Sequence, residues 1–137
     1  MKRKANPQIV AAAVIEKDGC ILIARRKRGL NAGNWEFPGG TLEEGETHEE
    51  CLKRELREEL SVAAEIGELI DVAEQTYTPE WTIRLLVYRA AVADYAFTLH
   101  EHDEIRWVRP EDLLKYTFPA VDRPIVERLA HGAYTNP

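Results

Sequence analysis

GTLEEGETHEECLKRELREELSV, residues 40–62, holds Gly40, Glu46, Arg54, Glu55, Leu56, Glu58, Glu59 and Val62 at fixed offsets. On a helix of 3.6 residues per turn, Glu55, Glu58 and Glu59 fall at i, i+3 and i+4, so three carboxylates crowd one face. Cys51, Leu52, Leu56 and Leu60 fall on an adjacent face, about 100° round the axis. The segment reads as an amphipathic helix with a core stripe and, beside it, a carboxylate stripe at the boundary. Thr47 can cap it and Glu50, three residues on, completes a capping box, which predicts a helix over residues 47–60. Like charges at this spacing repel by about a few tenths of a kcal/mol per pair, so the stripe is unfavourable unless a cation neutralises it.

An acidic stripe on an amphipathic helix is most often a solvated face, and three glutamates alone would carry no more than that. The joint pattern is different. One glycine, four glutamates and an arginine at set offsets should coincide on the order of once in a million starting positions at ordinary residue frequencies.

At 137 residues the chain is expected to be one domain, spanning residues 1–137, with a core that needs no staples. Hydrophobic residues make up 45% and charged residues 31%, which excludes wholesale disorder. No apolar run approaches the roughly 18 residues of a membrane span, and the basic start Met1-Lys2-Arg3-Lys4 leads into polar residues, unlike a secretory signal. Cys20 and Cys51 are the two cysteines; reduced, buried thiols in a cytoplasmic protein are expected in preference to a disulfide. The net charge of −6 is the wrong sign for holding a nucleic-acid polymer. A small polyanion remains compatible, because divalent cations on a carboxylate cluster invert the local field.

Outward from the box, the apolar run from Ile9 to Ile15 and a second from Cys20 to Ala24 flank Asp18-Gly19, a hairpin signal. Lys27 to Asn34 reads as a loop. Trp35-Glu36-Phe37-Pro38-Gly39-Gly40 reads as a short strand running into a glycine turn. Strands are expected over residues 66–76, 81–92 and 104–108. Pro110-Glu111-Asp112-Leu113 looks like a helix start, and a last helix is expected over residues 123–130. Strands interrupted by a central helix and closed by C-terminal helices predict an α+β chain whose mixed sheet is covered on both faces.

The stretch from Gly40 to Val62 resembles the Nudix box, and it departs from that pattern only at Ser61, where the family usually has glycine. That glycine follows the helix, where a left-handed residue often closes the last turn, so serine implies a modest conformational cost. The resemblance implies an α/β/α sandwich with a central mixed β-sheet and hydrolysis of phosphoric anhydrides. It also implies that Glu55, Glu58 and Glu59, with the backbone carbonyl of Gly39, hold Mg2+, for which Mn2+ can substitute. Magnesium takes oxygen ligands, and three glutamates on one face supply such a partial shell. Glu46 and Arg54 would be a supporting ion pair.

Arg25-Arg26, the Trp35 to Gly40 segment, and His100-Glu101-His102 upstream of Trp107 resemble the MutT-type branch, which hydrolyses nucleoside triphosphates. By that resemblance Glu101 would bind metal or assist the attacking water, and Asp122 would contact the base. Arg26 offers a cation for phosphate oxygens; strand alternation lets only one of Arg25 and Arg26 face a cleft. Asp122 could equally cap the last helix. Glu36 could add a second acceptor and Phe37 an apolar wall. Trp35, Trp81 and Tyr77 could stack on a base, although large aromatics at strand ends are more often core. Two histidines around Glu101 are weak support for zinc.

The segment from Glu36 to Gly40 and the tail from His100 to Leu129 are similar to enzymes acting on CTP and modified deoxycytidine triphosphates. A classical 8-oxo-dGTP hydrolase more often has Asn where this chain has Asp122. The expectation is a Mg-dependent nucleoside triphosphate pyrophosphohydrolase, a monomer or homodimer, with a small nucleotide as partner and neither nucleic-acid polymer nor membrane. ADP-ribose or dinucleoside polyphosphate hydrolysis is the enzymatic rival, but Tyr77 and Pro79 do not sit at the offsets those substrates require. A non-catalytic Nudix module generally lacks box glutamates, and all are present here.

Overall fold

The computed structural model describes residues 6–29 and 31–133. Strands β1 (Gln8–Lys17) and β2 (Cys20–Arg26) form the expected antiparallel hairpin, with Lys17 opposite Cys20. Asp18 and Gly19 both have positive φ, 50° and 78°, as the tight hairpin turns that match strand twist require. Strand β3 (Trp35–Glu36), strand β4 (Gly39–Thr41) and helix α1 (His48–Leu60) follow. Strands β5 (Ala64–Thr78), β6 (Trp81–Val92) and β7 (His102–Val108) lead into a 3-10 helix (Pro110–Lys115) and helix α2 (Arg123–Ala130).

The strands form one sheet in the order β3-β2-β1-β6-β5, with β4 also paired to β1 and β7 to β2. It is mixed because β1 runs parallel to β6, from Gln8 opposite Ile83 to Ile15 opposite Ala90, while the other pairings are antiparallel. Strand β1 is buried on both faces, which is why it reads as an unbroken apolar run. Its Ala12 and Val14 join a core with Val87, Leu113 and Ile125, on the side of the 3-10 helix and α2. Ala11, Ala13 and Ile15 join a second core with Cys51, Leu52, Leu56 and Leu60 of α1. The α/β/α sandwich expected from the resemblance is therefore present. No helix among the described residues is long and apolar enough to cross a membrane.

Two local expectations need correction. Gly39 and Gly40 do not make a turn; they pair with Ala12 and Ala11 as strand β4. Glycine is needed there for close approach, since a Cβ on Gly39 would collide with the carbonyl oxygen of Ala11. Of the two thiols, both free, only Cys51 is buried, because Cys20 opens β2 directly after the hairpin turn.

Candidate active site

Helix α1 begins as its sequence requires. Glu50 N donates to Thr47 Oγ1 at 3.1 Å and Thr47 N to Glu50 Oε1 at 2.8 Å, a complete capping box. At the other end Ser61 adopts the left-handed conformation, φ 56° and ψ 42°, and its N–H closes the last turn on Arg57 O. Its hydroxyl lies 2.8 Å from His100 Nε2, a contact that glycine could not make and that offsets the strain of a left-handed serine.

Arg54 gathers the segment before the helix onto its carboxylate face. Nε donates to Glu46 Oε2 at 2.6 Å and Nη2 to Glu46 Oε1 at 3.0 Å. Nη1 reaches Glu55 Oε1 at 2.8 Å and Glu58 Oε2 at 3.1 Å, and Nη2 also donates to Thr41 O at 3.2 Å. The guanidinium holds the Glu46 carboxyl down at about 2, and is itself raised, chiefly by Glu46. Arg54 is thus a structural clamp, not a solvated surface charge.

Beside this clamp the carboxylates differ in exposure. Glu58 is exposed, while Glu59 is buried and accepts from Gly39 N at 3.1 Å. Burial pushes the Glu59 carboxyl up to about 9, with Glu36 and Glu55 adding to the shift and the Gly39 N–H opposing it. Burial also raises Glu55 against the pull of Arg54. Glu55 lies over Gly40, where a Cβ would collide with its carboxyl group. Arg54 contacts Glu55 and Glu58 but not Glu59, whose burial favours its neutral form until a cation is beside it. Carboxylate oxygens gathered on one helix face in this way fit a hard divalent cation. Cys51 faces this region, its thiol donating to Gly40 O at 3.6 Å; burial pushes it up to about 11, the behaviour of an inert core thiol.

Across β4 from the helix lies a cleft of about 310 Å3, bordered by Gly39, Gly40, Arg26, Glu36, Phe37 and Asp122. Arg26 Nη1 is 3.3 Å from Glu36 Oε2, whereas Arg25 turns outward to Asp103 at 2.8 Å. A register shift between Arg25 and Arg26 where β2 meets β7 accompanies this division. Phe37 is 3% exposed and its ring lies 5.3 Å from that of Phe118; it is an apolar wall backed by the core. Asp122 precedes α2 but its side chain makes no capping hydrogen bond. Burial pushes it up to about 8, with the Glu36 charge adding. Of the candidate stacking residues, Trp35 is core, packed edge-on against Tyr116, while Tyr77 and Trp81 line the cleft with ring centroids 4.8 Å apart. A hollow of about 410 Å3 lined by Glu16, Gly67 and Arg89 is larger but holds none of these groups.

Glu101 lies in the bend that leads into β7. Its side chain is exposed and makes no hydrogen bond or ion pair among the described residues, while its carbonyl accepts from Lys27 N at 3.4 Å. Its neighbours do touch the site: His100 N donates to Glu59 O at 3.1 Å. His100 and His102 diverge, the first to Ser61 and the second to Glu36, so they do not share a zinc site. Sequence reasoning weighed His102 only as a weak zinc ligand and missed its contact with Glu36. Its Nε2 lies 2.9 Å from Glu36 Oε2, and donor atoms of Glu36, Glu59 and His102 lie within 4.8 Å of one another. The available signal was its position two residues before the expected strand, where alternation can turn it inward.

A helix carrying Glu55, Glu58 and Glu59, locked by Arg54 and Glu46 against a double-glycine strand, matches the NUDIX domain over residues 5–129, and the chain belongs to the Nudix family. It is a hydrolase of nucleotide derivatives. It is 40% identical over 121 residues to CTP pyrophosphohydrolase of Escherichia coli K12, covering 86% of this chain and 87% of that protein. Nucleoside triphosphatase NudI of Escherichia coli O139:H28 is 30% identical over 127 residues, with 83% and 90% covered. The solution structure of the E. coli ORF135 protein superposes with a TM-score of 0.79 at 33% identity, over 95% of this chain and 94% of that one. The crystal structure of MutT protein from Methanosarcina mazei Go1 gives 0.80 at 28% identity, over 98% and 100%.

Proposed function

We propose that this protein is a magnesium-dependent nucleoside triphosphate pyrophosphohydrolase that cleaves between the α and β phosphates, giving a monophosphate and pyrophosphate. CTP, modified deoxycytidine triphosphates and 8-oxo-dGTP are the candidate substrates, and clearance of a modified or surplus nucleotide is the role. One observation carries the reading. Strand β4 lies between the carboxylate face of α1 and a cleft lined by Arg26, Glu36, Phe37 and Asp122, so phosphates and base can be held at once. The similarity to a CTP pyrophosphohydrolase supports a nucleoside triphosphate as substrate.

Glu55, Glu58, Glu59 and the Gly39 carbonyl hold Mg2+, or Mn2+ in its place, and Glu101 is the further candidate ligand. Bound there, the cation neutralises phosphate charge and lowers the pKa of water. Arg54 keeps the box glutamates oriented and the preceding loop seated. Arg26, paired with Glu36 in the free protein, offers its remaining N–H groups to phosphate oxygens. Phe37 supplies an apolar wall. Asp122, buried and held neutral to about 8, can donate as well as accept at a base edge. Glu101, exposed and free of protein partners among the described residues, is available to the attacking water.

The acting unit is one domain over residues 1–137, cytoplasmic, monomeric or homodimeric, with no polymer partner. The test is a pyrophosphate-release screen with magnesium, comparing CTP, dCTP, 5-methyl-dCTP, dGTP and 8-oxo-dGTP at equal concentration. Release from at least one is expected; silence with all of them and with the other canonical nucleotides overturns the reading.

A further inference from the structure

His102 is wholly buried in its side chain, yet its ring makes a single hydrogen bond among the described residues, Nε2 to Glu36 Oε2 at 2.9 Å. Nδ1 is buried with no hydrogen-bond partner among the described residues. Facing a carboxylate oxygen, Nε2 carries the proton, which leaves Nδ1 as a bare lone pair. An apolar side chain would fill this space without leaving a polar atom unsatisfied, so the imidazole is unfavourable for packing and its one polar contact is what it provides.

That contact acts on a carboxylate in a difficult place. Glu36 is 15% exposed in its side chain and feels two other buried acids, Glu59 and Asp122, each of which its charge perturbs. Two donors meet it. Oε2 receives both His102 Nε2 and Arg26 Nη1, at 2.9 and 3.3 Å, whereas Oε1 has only a long contact with Arg26 at 3.4 Å. One oxygen is thus anchored and the other left as an acceptor on a carboxylate that lines the cleft.

We infer that His102 is a positioning residue: it pins Glu36 Oε2 so that Oε1 accepts from the exocyclic amino group of the base, selecting amino-bearing bases over uracil and thymine. The inference rests on the nucleotide-cleft reading above and adds the discriminating group and the residue that orients it. Cytosine and guanine offer an amino group at the edge; uracil offers a carbonyl oxygen, which a carboxylate repels.

CTP and UTP, which differ only at that edge, provide the test. The parent should prefer CTP. His102→Leu should lower kcat/KM on CTP about tenfold, through KM, and on UTP about threefold or less, so that the preference collapses. His102→Gln, which can place an amide N–H where Nε2 lies, should restore it; His102→Asn, whose amide falls where Nδ1 lies, should not. Equal CTP-to-UTP ratios in the parent and His102→Leu, or equal behaviour of the Gln and Asn variants, overturn the inference. If the leucine variant does not fold, as judged by circular dichroism, the Gln and Asn pair decides. If the parent releases pyrophosphate from no nucleotide, the hydrolase reading fails, and calorimetry with CMP and UMP in EDTA still decides this one. Tighter CMP binding that is lost in His102→Asn sustains it; equal binding, or none, overturns it.

Discussion

Arg54 grips Glu46 through two nitrogens, Nε to Oε2 at 2.6 Å and Nη2 to Oε1 at 3.0 Å, and reaches Glu55 and Glu58 with its third. A lysine has one donor centre and cannot make these contacts together. Arg54→Lys should therefore fall well short of the parent, and Arg54→Ala should lose about 1 to 2 kcal/mol of stability as the glutamates become unpaired. Activity should drop by about a hundredfold in Arg54→Ala, because the glutamates lose their orientation. Thermal denaturation and pyrophosphate release read the two effects. A lysine variant with parental activity would remove the clamp from the account.

Gly40 is the floor under Glu55. Gly40→Ala places a methyl group into that carboxyl, and the carboxyl must move or the strand must lift from Ala11. Loss of activity is expected with a modest stability loss, on the order of 1 to 3 kcal/mol. Magnesium titration followed by calorimetry should show weakened binding. An alanine variant that binds magnesium like the parent would mean that Glu55 is free to rearrange.

Glu58 is the exposed member of the carboxylate face, with 59% side-chain exposure. Glu58→Gln should leave stability within about 0.5 kcal/mol and lower kcat by about a hundredfold or more. EDTA should abolish activity in the parent and added magnesium should restore it. Full activity in Glu58→Gln would relocate the metal chemistry.

Asp122 gives stability a defined pH dependence. Its folded carboxyl lies at about 8 against an ordinary 3.8, so across that window the folded chain holds a proton that the unfolded chain has released. Its contribution is fully present below about 4 and is lost as pH rises through about 8. Asp122→Asn should remove this part of the slope and stabilise the protein at pH 8 relative to the parent by on the order of 2 kcal/mol. In metal-free protein a second slope of the same sign should remain from Glu59, raised to about 9. Denaturant melts at pH 5 and pH 8 measure the difference; parallel slopes for parent and variant would place the Asp122 carboxyl in the ordinary range.

Ser61 balances two small terms. Ser61→Ala keeps the left-handed strain and loses the contact with His100, for a loss of about 1 kcal/mol. Ser61→Gly loses the same contact but relieves strain of about the same size, so its stability should match the parent. Melting temperatures of the three proteins suffice. Ser61→Ala as stable as the parent would make the His100 contact incidental.

Much of the fold was legible in local signals. Helix α2 runs over the residues predicted, and α1 begins and ends where Thr47, Glu50 and Ser61 place it. Asp18-Gly19 made the first hairpin readable for the same reason: the conformation is set within a few residues. Gly39-Gly40 misled because a glycine pair looks alike whether it serves a turn or lets two strands approach. Deciding between them needs Ala11 and Ala12, which lie far away in the chain. The contact of His102 was hidden because the partner, Glu36, is 66 residues away.

From sequence alone came the capped helix, its three-carboxylate face and the Glu46–Arg54 spacing, and with them the family. Helical periodicity and capping are near-neighbour geometry, so residue order is enough to express them. Tertiary structure alone decided that Arg26 and not Arg25 meets Glu36, that Asp122 is buried beside the cleft with its side chain uninvolved in capping, and that His102 anchors one oxygen of Glu36. Those properties depend on burial and on charges brought together by the sheet. The same carboxylate is ionised in solvent and neutral inside, and only the packing says where it lies.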